Sequence, residues 1–271
     1  MAVQAREERI RILATALNGI SDSQLEWTAA VIAQFHIKPG VKRNPDSDLV
    51  TPCVAEEFAD ALQIHHCLST EALSKDKFEY ALDRIMNRCG IPAKLANKGN
   101  PGHDITLKGI PYSLKTQADK GIKVGLLHIS KFMELGKGAW LVEEDLKGLR
   151  DRFFLHMKSY DRILQLRRLV DTPNLQRYEL VEVPKTLLAK AQDAECKFVA
   201  ESKQNPKPGR CIVMEKGACL FELYFDGGTE RKLQIRSLDK KNCVVHAEWD
   251  IHRKPLTELT SDAPQLSDAL Q

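Results

Sequence analysis

Gly102-His103-Asp104-Ile105-Thr106-Leu107-Lys108-Gly109-Ile110-Pro111-Tyr112-Ser113-Leu114-Lys115-Thr116-Gln117 reads as a β-hairpin. Ile105, Leu107, Ile110, Tyr112 and Leu114 alternate with more polar residues at period two. Gly99, Asn100, Pro101 and Gly102 form a turn-rich lead-in, and Lys108-Gly109 supplies the reversal. Successive strand side chains point to opposite faces. Asp104 and Thr106 therefore share one face, and Ser113, Lys115 and Gln117 share one on the second strand. Closing the hairpin brings Asp104 and Lys115 together beside a gap of metal size.

A carboxylate holds Mg²⁺ through oxygen. The metal polarises a phosphoryl oxygen and helps generate hydroxide from bound water. A neighbouring ammonium stabilises the charge that builds on the phosphate. An ordinary amphipathic hairpin with a surface salt bridge would show the same alternation, but the Asp/Lys pair resembles the active-site hairpin of PD-(D/E)xK nucleases. Two departures stand out: Pro101 lies three residues before Asp104, and the acidic position two before the lysine is Ser113. Serine is a poor Mg²⁺ ligand, so a second carboxylate must come from elsewhere. Glu79, in an amphipathic helical stretch before the hairpin, and Glu134, just after it, are the two candidates.

Outward from the hairpin, the chain has the make-up of an ordinary globular protein. Its 271 residues are 43% hydrophobic and 28% charged, enough to bury a sizeable core. The net charge of +3 and a pI near 8.4 are compatible with DNA binding without arguing for it. No apolar run is long enough to span a bilayer, and Met1 to Arg11 lacks the apolar core of a signal peptide. These features lead us to expect a cytoplasmic protein. Seven cysteines are spread with no CxxC pair, and His65-His66-Cys67 has no second ligand pair at zinc spacing. Reduced, mostly buried thiols are the expectation.

Periodicity and capping residues predict helices over 5–18, 23–36, 53–64 and from Ser74 to about Cys89, with a further helical segment starting at Ser69-Thr70-Glu71. After the hairpin, 124–129 reads as a strand followed by a short helix to Leu135. Residues 141–169 read as one long helix with an apolar side and a basic side of Arg150, Arg152, Arg162, Arg167 and Arg168, a density able to follow a phosphate backbone. Residues 178–183 read as a strand, and Pro184 introduces a helix to Ala194. Strands are predicted near 196–200, 210–215, 219–225, 231–236 and 242–249, and the tail from about Arg253 is expected to be loose.

Two stretches in the β-rich part are rich in donors. Residues 202–210 hold Lys203, Gln204, Lys207 and Arg210 among prolines. Asp226-Gly227-Gly228 turns into a strand carrying Arg231, Lys232, Gln234 and Arg236. Arg and Lys reach guanine O6 and N7 in the major groove, Gln reads adenine or a phosphate, and a two-stranded ribbon fits that groove.

At larger scale the chain resembles the SmaI family of type II restriction endonucleases. The resemblance runs through His65-His66, Ser69-Thr70, Phe78-Glu79, Asn100-Pro101-Gly102-His103-Asp104-Ile105-Thr106 and Leu114-Lys115-Thr116. It continues in Met133-Glu134-Leu135-Gly136-Lys137-Gly138 with Trp140, Ser202-Lys203-Gln204 and Pro206-Lys207-Pro208-Gly209. Leu223-Tyr224-Phe225-Asp226-Gly227-Gly228, Glu230-Arg231-Lys232-Leu233-Gln234-Ile235 and Trp249-Asp250 close it, so that it covers roughly 60–252.

The resemblance implies an α/β (α+β) fold: a restriction-endonuclease-like core with a mixed central sheet flanked by helices. It divides the chain into an N-terminal helical region (1–60), the catalytic core (61–195), a β-rich DNA-reading region (196–252) and the tail (253–271). It implies Mg²⁺-dependent cleavage of both strands of a palindromic duplex, CCCGGG with a central blunt cut, by a homodimer whose host carries a cognate DNA methyltransferase. Asp104 becomes the bridging metal ligand, Glu79 or Glu134 completes the metal site, and Lys115 orients the attacking water and neutralises the phosphate. Gln117 holds water or phosphate, and Lys203, Gln204, Lys207, Arg231, Lys232, Gln234, Arg236 and Arg162 contact DNA. A repair or structure-specific nuclease of the same fold would share the Asp104/Lys115 pair, and a silent DNA-binding module would trace to Ser113.

Overall fold

Lys108 and Gly109 both take positive φ, 50° and 82°, as a two-residue hairpin turn of the primed type requires. The turn sets the register Leu107↔Ile110, Thr106↔Pro111 and Ile105↔Tyr112. Around this hairpin the computed structural model describes residues 2–97, 99, 102–119 and 121–253. Asn100 and Pro101 of the lead-in, and the tail beyond 253, lie outside the described residues.

In chain order the elements are α1 (Ala2–Leu17), α2 (Asp22–His36), β1 (Gly40–Arg43), α3 (Pro52–Leu68), α4 (Lys75–Arg88), β2 (Ala93–Leu95), β3 (Ile105–Leu107), β4 (Ile110–Gln117) and β5 (Leu126–Glu134). They continue as α5 (Glu143–Met157), β6 (Arg162–Asp171), β7 (Leu175–Glu182), α6 (Lys185–Ala189), β8 (Cys196–Phe198), β9 (Gly209–Glu215), β10 (Ala218–Asp226), β11 (Lys232–Asp239) and β12 (Val244–His252). The first sheet is mixed, with order β1-β12-β7-β6-β4-β3-β2 and β4 parallel to β6. The second, β5-β11-β10-β9-β8, is antiparallel throughout. The last strand of the 196–252 stretch leaves this sheet, and β12 pairs with β7 and β1 in the first.

Side-chain oxygens start the early helices where the sequence places them. Ser21, Thr51 and Ser74 accept from the third backbone amide of α2, α3 and α4. One core packs α3 and α4 (Phe58, Leu62, Phe78, Leu82) on one face of the first sheet through Leu114, Leu164, Leu166 and Trp249. The other joins the second sheet to α5 and to Ile163 and Val181 on the opposite face.

Burial on both faces explains the main departure from expectation. The predicted helix over 141–169 stops at Met157, and Arg162–Asp171 is a strand. Ile163 enters one core and Leu164 and Leu166 the other, so the strand is buried on both faces and lacks the period-two alternation that would set it apart from a helix. The helix expected up to Leu135 is likewise absent, because β5 continues to Glu134. A register irregularity between Ile235↔Ile129 and Leu233↔Met133 leaves Ser130 and Lys131 both exposed and breaks the period-two signal. Ser69-Thr70-Glu71 starts no helix, since α3 runs through to Leu68 and the chain then extends to Ser74. Two disulfides correct the expectation of reduced thiols. Cys53–Cys89 ties the start of α3 to the end of α4, and Cys196–Cys211 joins facing residues of β8 and β9. Sequence spacing carries no sign of either proximity.

His66 contributes a pH-dependent element to this core. It is buried, its Nδ1 donates to the Ser69 carbonyl at 3.0 Å, and its Nε2 accepts from the Tyr178 hydroxyl at 2.8 Å. Burial pushes its pKa down to about 4. An unfolded histidine titrates near 6.5, so below that pH the unfolded chain binds the proton the folded one refuses. Stability should fall as pH drops from about 6.5 to about 4, by up to roughly 3 kcal/mol from this group. His66→Gln should flatten that slope in urea unfolding titrations, and an unchanged slope would assign the pH dependence to another group.

Candidate active site and DNA-reading face

The hairpin turn places Asp104 one residue ahead of β3, opposite Ser113. Its amide donates to the Tyr112 carbonyl at 2.8 Å. Its carboxylate Oδ2 accepts from the Leu114 amide at 2.6 Å and the Ser113 hydroxyl at 3.3 Å. Ser113 thus orients the aspartate instead of carrying a second carboxylate. The other oxygen, Oδ1, accepts from Lys75 Nζ at 2.7 Å, and the same ammonium lies 3.0 Å from Glu79 Oε1. Two half-buried carboxylates from a strand end and a helix therefore converge on one cation.

Lys75 was not anticipated from the sequence. It is the first residue of α4, fixed there by the Ser74 cap, and the i,i+4 spacing puts it beside Glu79 on one helix face. That spacing was the signal available. Burial works against the Lys75 charge, but Asp104 and Glu79 outweigh it and raise its pKa. Burial raises the pKa of Glu79, and Lys75 partly offsets this.

Lys115 reaches the same cleft, which measures about 510 Å³ and is lined also by Lys75, Asp104, Ser130, Lys131, Glu134 and His156. Its Nζ stands 5.4 Å above the Phe132 ring, and burial lowers its pKa to about 8 against the pull of Asp104. A desolvated cation beside a carboxylate pair is equipped to meet a phosphate. His156, on α5, is the second unanticipated member, and burial followed by Lys115 holds its pKa down. Glu134 lines the cleft but is exposed on β5, not on a helix, and pairs with Lys131 at 2.9 Å. The structure thus brings Asp104, Glu79 and Lys115 together and leaves Glu134 at the rim.

Gln117 and Arg162 are corrected. Gln117 does not line the cleft: it is buried, and its Oε1 accepts from Arg167 Nε at 3.0 Å and the His128 amide at 3.4 Å. Arg162 lies on β6, with all three guanidinium nitrogens engaged by Asp48, Glu182 and Tyr112. A guanidinium held by two carboxylates has no fork left for DNA.

The donor-rich stretches meet beside the cleft. A Cβ on Gly227 would come within 1.8 Å of the Pro206 carbonyl oxygen, so only glycine lets the 226–231 turn seat on the 202–210 loop. Between them a second cleft of about 730 Å³ is lined by Gln204, Asn205, Gly228, Glu230 and Arg231. Arg231 donates to the Lys137 and Gly138 carbonyls and stacks near Trp140, whose indole donates to the Lys207 carbonyl at 2.6 Å. Lys232 and Lys131 share Glu230 at 2.9 and 2.8 Å, and Lys207 donates to the Ala200 carbonyl at 2.9 Å. Lys203 and Gln204 are exposed. Arg236, Gln234 and Lys232 share the outer face of β11, the strand next to β5 and its cleft residues.

No group of three histidine, cysteine or acidic side chains placed to hold a metal occurs among the described residues. The two carboxylates on one ammonium still fit a divalent cation, because Mg²⁺ is commonly held by one or two carboxylates with water and substrate phosphates completing its shell. No helix among the described residues is long and apolar enough to cross a membrane.

Comparison with known proteins follows the same line. The profile of the SmaI family, type II site-specific deoxyribonucleases, matches residues 13–251 and so takes in most of the N-terminal helices. The type II restriction enzyme SmaI of Serratia marcescens is 40% identical over 236 residues, 86% of this chain and 92% of that protein. No solved structure matches.

Proposed function

We propose a specific reaction from the premise that this chain belongs to the SmaI family of type II site-specific deoxyribonucleases. It is a restriction endonuclease acting on double-stranded DNA. The finer reading is Mg²⁺-dependent cleavage of CCCGGG at its centre, leaving blunt ends. The observation that carries it is the convergence of Asp104 and Glu79 on one cation beside Lys115.

Asp104 and Glu79 are the residues that would hold the metal. When bound, Mg²⁺ supplies Lewis acidity to the scissile phosphate and lowers the pKa of a coordinated water. Ser113 and the Leu114 amide keep Asp104 turned toward the cleft. Lys115 neutralises charge at the phosphate, and its partial burial makes that charge act in a medium of low polarity. Lys203, Gln204, Lys207, Lys232 and Arg236 face the DNA, and Arg231 clamps the 137–138 backbone against the reading loops.

A palindromic site matches a two-fold homodimer, each copy reading half. Exposed Ile10 and Leu13 on α1 and Trp27 and Phe35 on α2 support a subunit interface there. A cytoplasmic setting and a protecting methyltransferase belong to the same reading, since the host must shield its own sites.

Digestion of a sequenced plasmid with and without EDTA, followed by end mapping, tests this function. Discrete blunt ends in CCC and GGG that vanish with EDTA are expected. Cutting that ignores sequence, or that persists in EDTA, defeats it. Lys75 gives an independent check of the metal site. An incoming ion must displace its ammonium, so Lys75→Met should bind Mg²⁺ about tenfold more tightly in titration calorimetry, a gain of roughly 1.4 kcal/mol. Weaker binding would show that the ammonium organises the carboxylates instead of competing for them.

A further inference from the structure

We propose that Arg236 is the side chain that reads guanine, and that Asp226, Gln234 and Tyr224 hold its guanidinium in reading position before DNA arrives. The inference rests on the sequence-specific DNA recognition in the proposed function, not on its cleavage step.

Arg236 Nε donates to Gln234 Oε1 at 2.8 Å. Gln234 Nε2 in turn donates to Asp226 Oδ2 at 3.1 Å, and Asp226 Oδ1 accepts from the Gly228 amide at 3.0 Å. The relay ends in the glycine turn that seats on the 202–210 loop. The flat guanidinium lies 3.3 Å from the centre of the Tyr224 ring, a cation–π stack that fixes its plane. Gln234 is buried, so the relay is shielded from water, while Arg236 itself is half-exposed.

Its remaining donors define its task. Nη1 and Nη2 make no hydrogen bond or ion pair among the described residues, although Glu222 sits directly opposite on β10. The carboxylate opposite in register is passed over, which leaves both terminal nitrogens of the fork for a ligand. Two parallel N–H donors on a plane match guanine O6 and N7. Other cations of the reading stretches are placed differently: Arg231 holds backbone carbonyls, Lys232 holds Glu230 and Lys207 holds the Ala200 carbonyl. Arg210, opposite Tyr224 on the same face, has neither a ring stack nor a side-chain hydrogen bond to aim it among the described residues, which suits a phosphate contact. A pre-aimed fork loses little rotamer freedom on binding, so it contributes discrimination.

The test compares equilibrium binding of the full-length protein, in Ca²⁺, to a CCCGGG duplex, to duplexes with one symmetric base pair changed, and to an unrelated duplex. Arg236→Lys keeps the charge and removes the fork. It should weaken cognate binding about ten- to a hundredfold and level discrimination at one symmetric G·C position, with affinity for the unrelated duplex and the salt slope unchanged. Tyr224→Leu and Gln234→Leu should move discrimination the same way by less, and Tyr224→Phe should restore it. Equal loss on all duplexes with Arg236→Ala, with the salt slope reduced by about one, would make Arg236 a phosphate contact and overturn the proposal. Unchanged discrimination in Arg236→Lys, or a wild type that binds all duplexes alike, overturns it too. Wild-type protein that discriminates bases but cuts no plasmid would instead defeat the nuclease reading and leave this inference standing.

Discussion

Asp104→Asn and Lys115→Ala should each lose plasmid cleavage by at least about a thousandfold while binding a specific duplex with near-native affinity. Each removes charge that matters most as the phosphate becomes more negative, and neither lies on the reading face. Asparagine is the sharper change at position 104, because its amide oxygen still accepts from the Leu114 amide that now donates at 2.6 Å. Alanine there would also abolish cutting, but it would leave that amide unpaired in a part-buried site, adding a stability cost of about 1–3 kcal/mol unrelated to chemistry. Single-turnover cleavage and a gel-shift measurement on the same duplex separate the two effects. Full cleavage in either variant would refute the site.

Glu179→Ala should cost about 3–5 kcal/mol of stability, read as a lower urea midpoint. Glu179 and Arg167 form an ion pair with both side chains fully buried. Arg167 also donates to Gln117 Oε1 at 3.0 Å, to the Val124 carbonyl at 3.3 Å and to the Lys123 and Leu126 carbonyls at 2.8 Å each. This one guanidinium staples the connection between β4 and β5, the strands that carry Lys115 and the cleft wall. Removing Glu179 strands that charge without its counter-ion and frees Lys240, which holds the other carboxylate oxygen at 2.9 Å. The paired replacement Arg167→Met with Glu179→Met should cost much less, because no buried charge is left unmatched. A loss below about 1 kcal/mol in the single variant would mean that water reaches the guanidinium and takes the place of the carboxylate.

Arg167 also illustrates why part of the sequence misled. Read on a helix, Arg162, Arg167 and Arg168 form a basic stripe for a phosphate backbone. On β6 they separate: Arg162 to Asp48 and Glu182, Arg167 to Glu179, and Arg168 to the Thr70 carbonyl and Asp171. Apart from Asp171 at the end of β6 itself, their partners come from β7 and from loops. A charge pattern within one segment does not contain such contacts.

By itself, the sequence determined what depends on near neighbours. The Lys108-Gly109 turn, the alternation of β3 and β4 and the caps at Ser21, Thr51 and Ser74 are set within a few residues, as is the shared face of Ser113 and Lys115. Side-chain periodicity and local backbone preference act over that range. Only the tertiary structure decided that Lys75 stands between Asp104 and Glu79, and that Gln117 faces Arg167 instead of the cleft. It likewise decided that Cys53 meets Cys89, and that Gln234 and Tyr224 aim Arg236. These contacts join strands, helices and loops remote in the chain or set by strand register, and each is stabilised by desolvation and pairing that exist only once the two cores have closed around the first sheet.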